Sequence, residues 1–297
     1  MFMIEVERKM TIELIIAQAF NGLVLGMIYV LLAMGLSIVW GMMDIINFSH
    51  GLFYALGAYL AYTVVSVTGN FWLCLILVPL IMAGIGMLLE YVLLRRLYNE
   101  NILYQILMTY GLAIAGRELI ILIYNPVGKS FGQPEILRGV IMVAGLFFPY
   151  YRVFVFCIAL ILTLGMWLFI EKTRYGSILR AGTENLDMVS CLGINISRVF
   201  NITFGLAMAI AGLSGVLAAP MRGVEPYMGD LILGICFAVV VIGGMGSFFG
   251  AFWGGLIVGL CQSLVTLVMP SASIIIIFLV MAAILLIKPR GLMGIRD

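Results

Sequence analysis

"LIIAQAFNGLVLGMIYVLLAMGLSIVWGMM", residues 14–43, decides the fold class, because it is a run of thirty residues without a charged side chain. A helix needs about 20 apolar residues to cross the hydrocarbon core of a membrane. The run is longer than the apolar core of a secretory signal peptide, and no convincing small-residue cleavage site follows it. It therefore predicts a membrane-spanning helix that the protein retains.

The whole chain shares this apolar character. Of its 297 residues, 64% are hydrophobic and 10% are charged, whereas soluble domains carry about 25% charged residues. We therefore predict an all-α, polytopic integral membrane protein. The net charge of +2 comes without a basic patch, which argues against nucleic-acid binding. The five cysteines show no CxxC spacing, so neither a disulfide framework nor a metal site is expected.

About eight to nine transmembrane helices are expected. The predicted spans are 12–40, 47–68, 71–94, 102–124, 151–170, 199–220, 229–247, 250–269 and 272–288. The segment 41–50 can be a broken or re-entrant helix, which leaves the count open by one. Turns are expected at 243–246 and 269–271, where glycine or proline occurs. Segment 136–149 is too short to span, and we expect an outside loop there that can carry an interfacial helix.

Lysine and arginine predict the orientation, because cytoplasmic loops of membrane proteins are enriched in both. Three clusters hold most of them: Arg95 and Arg96; Lys172, Arg174, Arg180 and Arg198; and Lys288, Arg290 and Arg296. With nine spans all three clusters face the cytoplasm, and the N-terminus lies outside unless a re-entrant segment at 41–50 reverses it. Residues 1–9 are then a short tail, and residues 10–297 form a single transmembrane domain.

A search for catalytic motifs finds none. Gly128-Lys129-Ser130 resembles the end of a phosphate-binding loop, but Ile123 stands where that motif requires glycine. The single histidine and the absence of clustered thiols argue against a typical zinc site. We therefore expect no ATPase site, catalytic residue, metal or cofactor in this chain. Arg117-Glu118 lies toward the outer end of the fourth span, where an ion pair or interface anchoring is as plausible as a transport role.

Polar residues interrupt the apolar sequence between the first two spans. Asp44, Asn47, Ser49, His50 and Gly51 lie there, with Asn47 a candidate N-cap of the second span. Irregular backbone at membrane depth is tolerated where it is buried in protein or lines a wet cavity. Three roles remain open for these residues: they satisfy backbone groups at a tight turn, they form a gate, or they contact a substrate directly.

Glycines at four-residue spacing predict close helix packing. Gly246, Gly250 and Gly254 form one series, and Gly255 and Gly259 add a second pair. Small residues at this spacing let membrane helices approach closely, although glycine is also common in such helices without that role.

The segment 171–198 is the longest charged connection. Its inner part predicts a short helix that begins after Thr183 or Asn185, carries Leu186, Val189 and Leu192 on one stripe, and ends at Gly193. Such a helix can dock into a groove of a partner protein. A solvated connector is an equally good interpretation from the residues alone.

Several motifs together resemble the permeases of branched-chain amino-acid ABC transporters of the high-affinity leucine, isoleucine and valine type. They run in the order of that family: "GLVLGMIYVLLAMGLSIVWGMMDIINFSHG" (22–51), "TRYG" (173–176) with "RA" (180–181), "EN" (184–185) and "LGIN" (192–195), "AGLSGVLAAP" (211–220), "VIGGMGSFFGAFWGGLIVGL" (241–260) and "KPRGLMG" (288–294). The chain departs from the family pattern at Gly182-Thr183 and Ser190-Cys191, which puts individual docking contacts in doubt.

The resemblance implies a transport subunit without its own ATPase site, in a bacterial cytoplasmic (inner) membrane, with segment 171–198 and the C-terminus cytoplasmic. It implies a second, related or identical permease subunit, two separate ATPase subunits that bind ATP, and an extracytoplasmic binding protein. The residues that would couple ATP hydrolysis to transport are Arg174, Gly176, Arg180, Ala181, Glu184, Asn185, Leu192 and Gly193.

Three rival functions remain. Related permeases carry urea or short amides, and this sequence does not choose among such substrates. An ion-coupled secondary transporter would place charges or broken helices near the membrane midplane, and only the region around Asp44 offers that. A membrane scaffold without transport activity is compatible with the glycine-packed spans, but no residue favours it.

Overall fold

The computed structural model describes residues 2–98, 100–143 and 145–294, which form eleven helices and one β-hairpin. The helices are α1 (Phe2–Met43), α2 (His50–Thr68), α3 (Phe71–Val92), α4 (Ile102–Tyr124), α5 (Tyr150–Lys172), α6 (Arg174–Glu184), α7 (Leu186–Cys191), α8 (Ile196–Arg222), α9 (Met228–Gly243), α10 (Phe248–Val268) and α11 (Ile275–Ile287). The strands are β1 (Val140–Val143) and β2 (Leu146–Pro149).

The all-α, polytopic prediction is confirmed. Within the described residues, seven helices are long and apolar enough to cross a membrane, and α9 and α11 are shorter apolar helices. All nine predicted spans fall on these helices, so a count of eight to nine is a fair approximation. Residues 2–9 belong to α1 and continue directly into the first span, where the sequence predicted a separate tail.

Side-chain caps explain several helix boundaries. The side-chain oxygens of Asn70, Asn101 and Ser247 accept hydrogen bonds from backbone N–H groups in the first turns of α3, α4 and α10. These groups have no partner inside the helix, so each cap satisfies a donor that would otherwise be lost. At the other end of α2, Gly69 takes a left-handed conformation with φ of 68° and terminates the helix.

The centre of the bundle consists of α1 and α8. In the most apolar window of each helix, 83% of α1 and 89% of α8 are buried, against 22% or less for α3, α4 and α5. The outer helices therefore present leucine and isoleucine side chains to their surroundings, as expected where the solvent is lipid.

Glycine brings α1 and α10 into backbone contact. A β-carbon on Gly259 would overlap Gly26, and one on Gly255 would lie 2.9 Å from the backbone nitrogen of Val30. The other glycines of the predicted series contact α9: Gly250 meets Gly243, and Gly254 would bring a β-carbon to 2.7 Å from the carbonyl oxygen of Val239. Gly246 lies in the turn before α10, with φ of 74°.

The connection between α4 and α5 contains a hairpin and not the interfacial helix that the sequence allowed. β1 pairs antiparallel with β2, from Val140 opposite Pro149 to Val143 opposite Leu146. Short apolar runs of four residues satisfy either a strand or a helix pattern, so hydropathy alone does not distinguish them.

The described residues of the three basic clusters gather at one end of the bundle. Arg95 donates from Nη2 to the carbonyl oxygen of Ser197 at 3.3 Å, which joins the first cluster to the second. The C-terminal tail lies along the end of α9, where the N–H of Leu292 donates to the carbonyl oxygen of Ile242 at 2.8 Å. The positive charge is therefore concentrated on one face of the protein.

Candidate functional site

The predicted break between the first two spans is present, and it lies inside the bundle. His50, the first residue of α2, places Nε2 3.0 Å from the carbonyl oxygen of Leu32. Leu32 precedes the end of α1 by eleven residues, or about 16 Å along a helix. The N–H of Phe48 also donates to Oγ1 of Thr109 at 3.2 Å, inside α4. The connection 44–49 therefore folds back along α1 before α2 begins.

The polar side chains of this connection are sealed from solvent. Asn47, Ser49 and His50 are all 0% exposed. Oδ1 of Asn47 accepts hydrogen bonds from the N–H of Ser49 at 3.0 Å and from its hydroxyl at 2.6 Å. Asn47 is therefore not the N-cap of α2 as predicted. Its side chain closes a tight turn just before α2. Ser49 occupies the N-cap position of α2 without a side-chain cap bond.

The ring of His50 has a defined tautomer. A carbonyl oxygen can only accept a hydrogen bond, so the contact with Leu32 requires the proton on Nε2. Nδ1 is buried and has no hydrogen-bond partner among the residues that the structure describes. Buried polar atoms in proteins are nearly always paired, so this nitrogen is an exception, which it shares with the hydroxyl of Ser37 among the described residues.

Asp44 lies apart from the other polar residues. Its N–H donates to the carbonyl oxygen of Trp40 at 3.1 Å, and its backbone adopts a left-handed conformation with φ of 51°. The side chain is exposed. Asp44 follows directly on the end of α1, and five residues separate it from the start of α2 at His50.

Glycines allow the break to pack this tightly. A β-carbon on Gly51 would overlap the carbonyl oxygen of Gly229 in α9, and one on Gly57 would overlap that of Gly212 in α8. Gly35 of α1 leaves room for the ring of His50, whose Cε1 would lie 3.2 Å from a β-carbon there. Substitution of these glycines therefore has to push whole helices apart.

The polar segment 171–198 contains two helices, of which the sequence predicted one. α7 begins after Asn185, whose Oδ1 accepts from the N–H of Met188 at 2.9 Å, as one of the two predicted caps required. Gly193 follows with φ of 77°, the conformation expected of a helix stop. The structure does not describe the side chains of Thr183, the other predicted start, or of Leu186, a residue of the predicted stripe. α6 was missed.

The predicted apolar stripe of α7 does not lie on one packed face. Val189 is 3% exposed, whereas Leu192 is 77% exposed. α7 ends at Cys191, so Leu192 no longer follows the helical period. Met188 is also exposed, at 69%, and the pair leaves apolar surface uncovered.

α6, by contrast, is fastened to the bundle. A β-carbon on Gly176 would overlap the carbonyl oxygen of Ile170, and Arg180 hydrogen-bonds that same oxygen at the end of α5. The hydroxyl of Tyr175 donates to the carbonyl oxygen of Val199 in α8 at 2.8 Å. Burial raises the pKa of the Tyr175 phenol, so it stays neutral. The remaining predicted coupling residues are exposed: Arg174, Ala181, Glu184, Asn185 and Gly193.

One polar cluster was missed entirely. Glu90, near the end of α3, is 0% exposed and pairs with Arg95 at 3.1 Å. Tyr98 and Asn201 also hydrogen-bond its carboxylate. Burial, and the hydrogen bond to Glu90, raise the pKa of Tyr98 well above its usual range. The signal in the sequence was a lone glutamate in an apolar run with an arginine five residues later.

Arg117 and Glu118 do form an ion pair, at 3.1 Å, and Arg117 pairs more closely with Asp230 of α9, at 2.7 Å. Among the described residues, no group of three or more histidine, cysteine or acidic side chains is placed to hold a metal ion.

Comparison with known proteins shows the family to which the chain belongs. The sequence profile described as "Branched-chain amino acid transport system / permease component" matches residues 18–286. The chain belongs to this permease family. The match runs from Gln18 in α1 to Leu286 in α11, and therefore includes the break, the polar segment and the glycine contacts.

Individual relatives agree with the family. The permease is 30% identical, over 93% of its length and 95% of the relative, to the high-affinity branched-chain amino acid transport system permease protein BraD of Pseudomonas aeruginosa. It is 29% identical to the permease protein LivH of Escherichia coli K12, over 93% and 94% of the two chains. LivM of Salmonella typhimurium matches over 75% of this chain and 58% of its own, at 30% identity. No solved structure matches the chain.

Proposed function

We propose that this chain is the membrane-spanning subunit of an ATP-driven importer that moves branched-chain amino acids into the cytoplasm. The observation that carries the proposal is the family match over residues 18–286, together with the names of relatives that align over nearly their full length. A second permease subunit, two ATPase subunits that bind the ATP, and an extracytoplasmic binding protein complete the assembly.

The exposed residues around α7 support the proposal that an ATPase subunit binds segment 171–198. Met188 and Leu192 present apolar side chains beside α7, whereas α6 is tied to α5 and α8. A partner that binds α7 can therefore move α8 through α6, since Tyr175 bonds directly to the first turn of α8. Coupling of this kind needs a packed element that contacts the partner differently in two states.

The distribution of charge supports the orientation. The described basic residues at Arg95, at 172–198 and at 288–290 lie at one end of the bundle. We assign this end to the cytoplasm, following the enrichment of lysine and arginine in cytoplasmic loops. The C-terminus and segment 171–198 are then cytoplasmic, and the membrane is the cytoplasmic (inner) membrane of a bacterium.

The break at His50 serves as part of the gate in this proposal. It joins α1, α2 and α4 inside the bundle, and it contains a buried ring nitrogen without a partner among the described residues. A shift of α2 against α1 would offer that nitrogen a partner in the other conformation. A purely structural role for Asn47 and Ser49 fits their hydrogen bonds within the turn.

Purification of the tagged protein from its native host in mild detergent, followed by mass spectrometry, tests the assembly. Recovery of a stoichiometric P-loop ATPase and a second permease supports the importer. A co-purified or separately expressed binding protein is then tested for leucine against urea. Binding of urea and not of leucine would mean that the importer carries urea. Repeated recovery of this chain alone under gentler extraction would favour an ion-coupled secondary transporter.

A further inference from the structure

Arg222 and Glu225 place opposite charges in a cavity at the end of the bundle away from the basic clusters. Arg222 is the last residue of α8, and Glu225 follows in the connection to α9. Nη2 of Arg222 lies 3.3 Å from the hydroxyl of Tyr29, in the middle of α1. Within the described residues, neither charge has an ion-pair partner within 4.0 Å.

The two charged side chains lie where a wide vestibule meets a narrow cavity. Both residues line a wide vestibule of ≈ 480 Å³, whose other wall is the strand-like pair formed by Lys129 and Val224. Both also line a narrower cavity of ≈ 60 Å³ that continues into the bundle. A molecule that enters from the vestibule therefore passes the charges first.

Beyond the charges the narrow cavity is apolar. Its walls include Met228, Ile232 and Ile235 of α9, with Tyr54 of α2 opposite. At about 15 Å³ for each water-sized group, it has room for roughly four such groups. Tyr54 lies one helical turn after His50, so the cavity is directly adjacent to the break.

We propose that Arg222 and Glu225 form a transient binding site for the zwitterionic head group of an aliphatic amino acid, with the side chain directed into the narrow cavity. The proposal rests on the proposed importer function and deepens it. Arg222 binds the carboxylate, Glu225 binds the ammonium group, and α9 contacts the aliphatic side chain. A zwitterion carries one charge to pair with each of two opposite charges that lack an ion-pair partner, whereas neutral urea carries none.

The test is leucine binding to the purified complex with its ATPases and without its binding protein, read as the shift of the thermal unfolding midpoint with leucine concentration. Arg222→Gln and Glu225→Gln are expected to weaken the apparent affinity at least tenfold. Glu135→Gln is the matched control, since Glu135 lies in the outside loop and is exposed. Glu225 has no ion pair to lose, so its variant separates a loss of binding from misfolding.

A second ligand tests the assignment of Glu225. 4-Methylpentanoate is leucine without the amino group, so the native complex is expected to bind it more weakly than leucine. In Glu225→Gln the two ligands are expected to bind about equally. Unchanged leucine affinity in both variants, or no leucine-dependent shift in the native complex, overturns the site. Failure of the native complex, with its ATPases and binding protein, to import leucine overturns the importer instead.

Discussion

The break at His50 and the polar segment 171–198 both interrupt an otherwise apolar chain. They differ in how far their side chains are buried and paired within the chain. In the break, Asn47, Ser49 and His50 are entirely buried, and their hydrogen bonds are made almost wholly within the chain. In the polar segment, α6 is fastened to the bundle, whereas Met188 and Leu192 remain exposed.

The difference teaches what each region requires. Buried polar groups need partners with fixed geometry, which only the folded chain supplies at that depth. Exposed apolar groups at a polar surface are typical of a contact with another protein. The break is therefore satisfied within this subunit, and α7 is the part that we propose another subunit covers.

The largest expected effect comes from a glycine beside the break. Gly57→Leu places a side chain where the carbonyl oxygen of Gly212 lies, so α2 and α8 cannot approach and the folded protein should be lost. The measurement is the monodisperse fraction in size-exclusion chromatography in mild detergent. Gly84→Leu is the control, because a β-carbon on Gly84 meets nothing within 4 Å. Equal behaviour of the two variants would show that the glycine contact is not required.

The buried cluster of Glu90 is a second region whose polar groups find their partners within the chain, at the end of the bundle that carries the basic clusters. Glu90→Leu leaves Arg95, Tyr98 and Asn201 without their common acceptor. Removal of one partner from a buried pair costs about 3–5 kcal/mol, and we expect the lower end because Arg95 is 31% exposed. Unfolding in a mixed-detergent titration measures the free energy.

The matched control for that cluster is Glu118→Leu, which removes one partner of an exposed ion pair. Exposed pairs contribute about 0–1 kcal/mol, so its free energy of unfolding should change little. A loss at Glu90 no larger than the loss at Glu118 would contradict the structural role of the cluster.

A substitution on the exposed surface beside α7 should lower transport and leave the stability of the protein unchanged. Leu192→Asp places a charge on the surface that we assign to the ATPase contact. We expect an unchanged thermal midpoint of the isolated chain and a loss of leucine uptake of about tenfold, equivalent to ~1.4 kcal/mol. Ile136→Asp is the control, because Ile136 is equally exposed, at 77%, but lies in the connection between α4 and α5. Normal uptake by Leu192→Asp would place the ATPase contact elsewhere.

The sequence predicted the spans and turns well, because hydropathy and glycine act locally. It located the break but misplaced its cap, since an asparagine oxygen such as that of Asn47 can accept equally from a helix terminus or from a turn. It missed α6, whose apolar residues are interspersed with arginines and glycines as in a solvated connector. The Glu90 cluster joins residues more than a hundred positions apart, and no local pattern encodes such a contact.

The smallest expected effect, and the most informative one, concerns His50 itself. His50→Ala removes the donor to the carbonyl oxygen of Leu32, and the loss of one such hydrogen bond costs about 0.5–1.5 kcal/mol. Insertion into the membrane should therefore persist, while the initial rate of leucine uptake falls a few-fold. Ser37→Ala is the control, because its buried hydroxyl has no partner among the described residues.

The ratio of transport to ATP hydrolysis separates the two roles of this histidine. If His50 only satisfies a turn, uptake and ATP hydrolysis should fall in parallel as folded protein is lost. If it belongs to the gate, hydrolysis should continue while uptake declines, because the ATPases still close on α7 but α2 no longer follows. His50→Gln can still donate to Leu32 but lacks the second ring nitrogen, so normal uptake by this variant would mean that Nδ1 has no part in the gate.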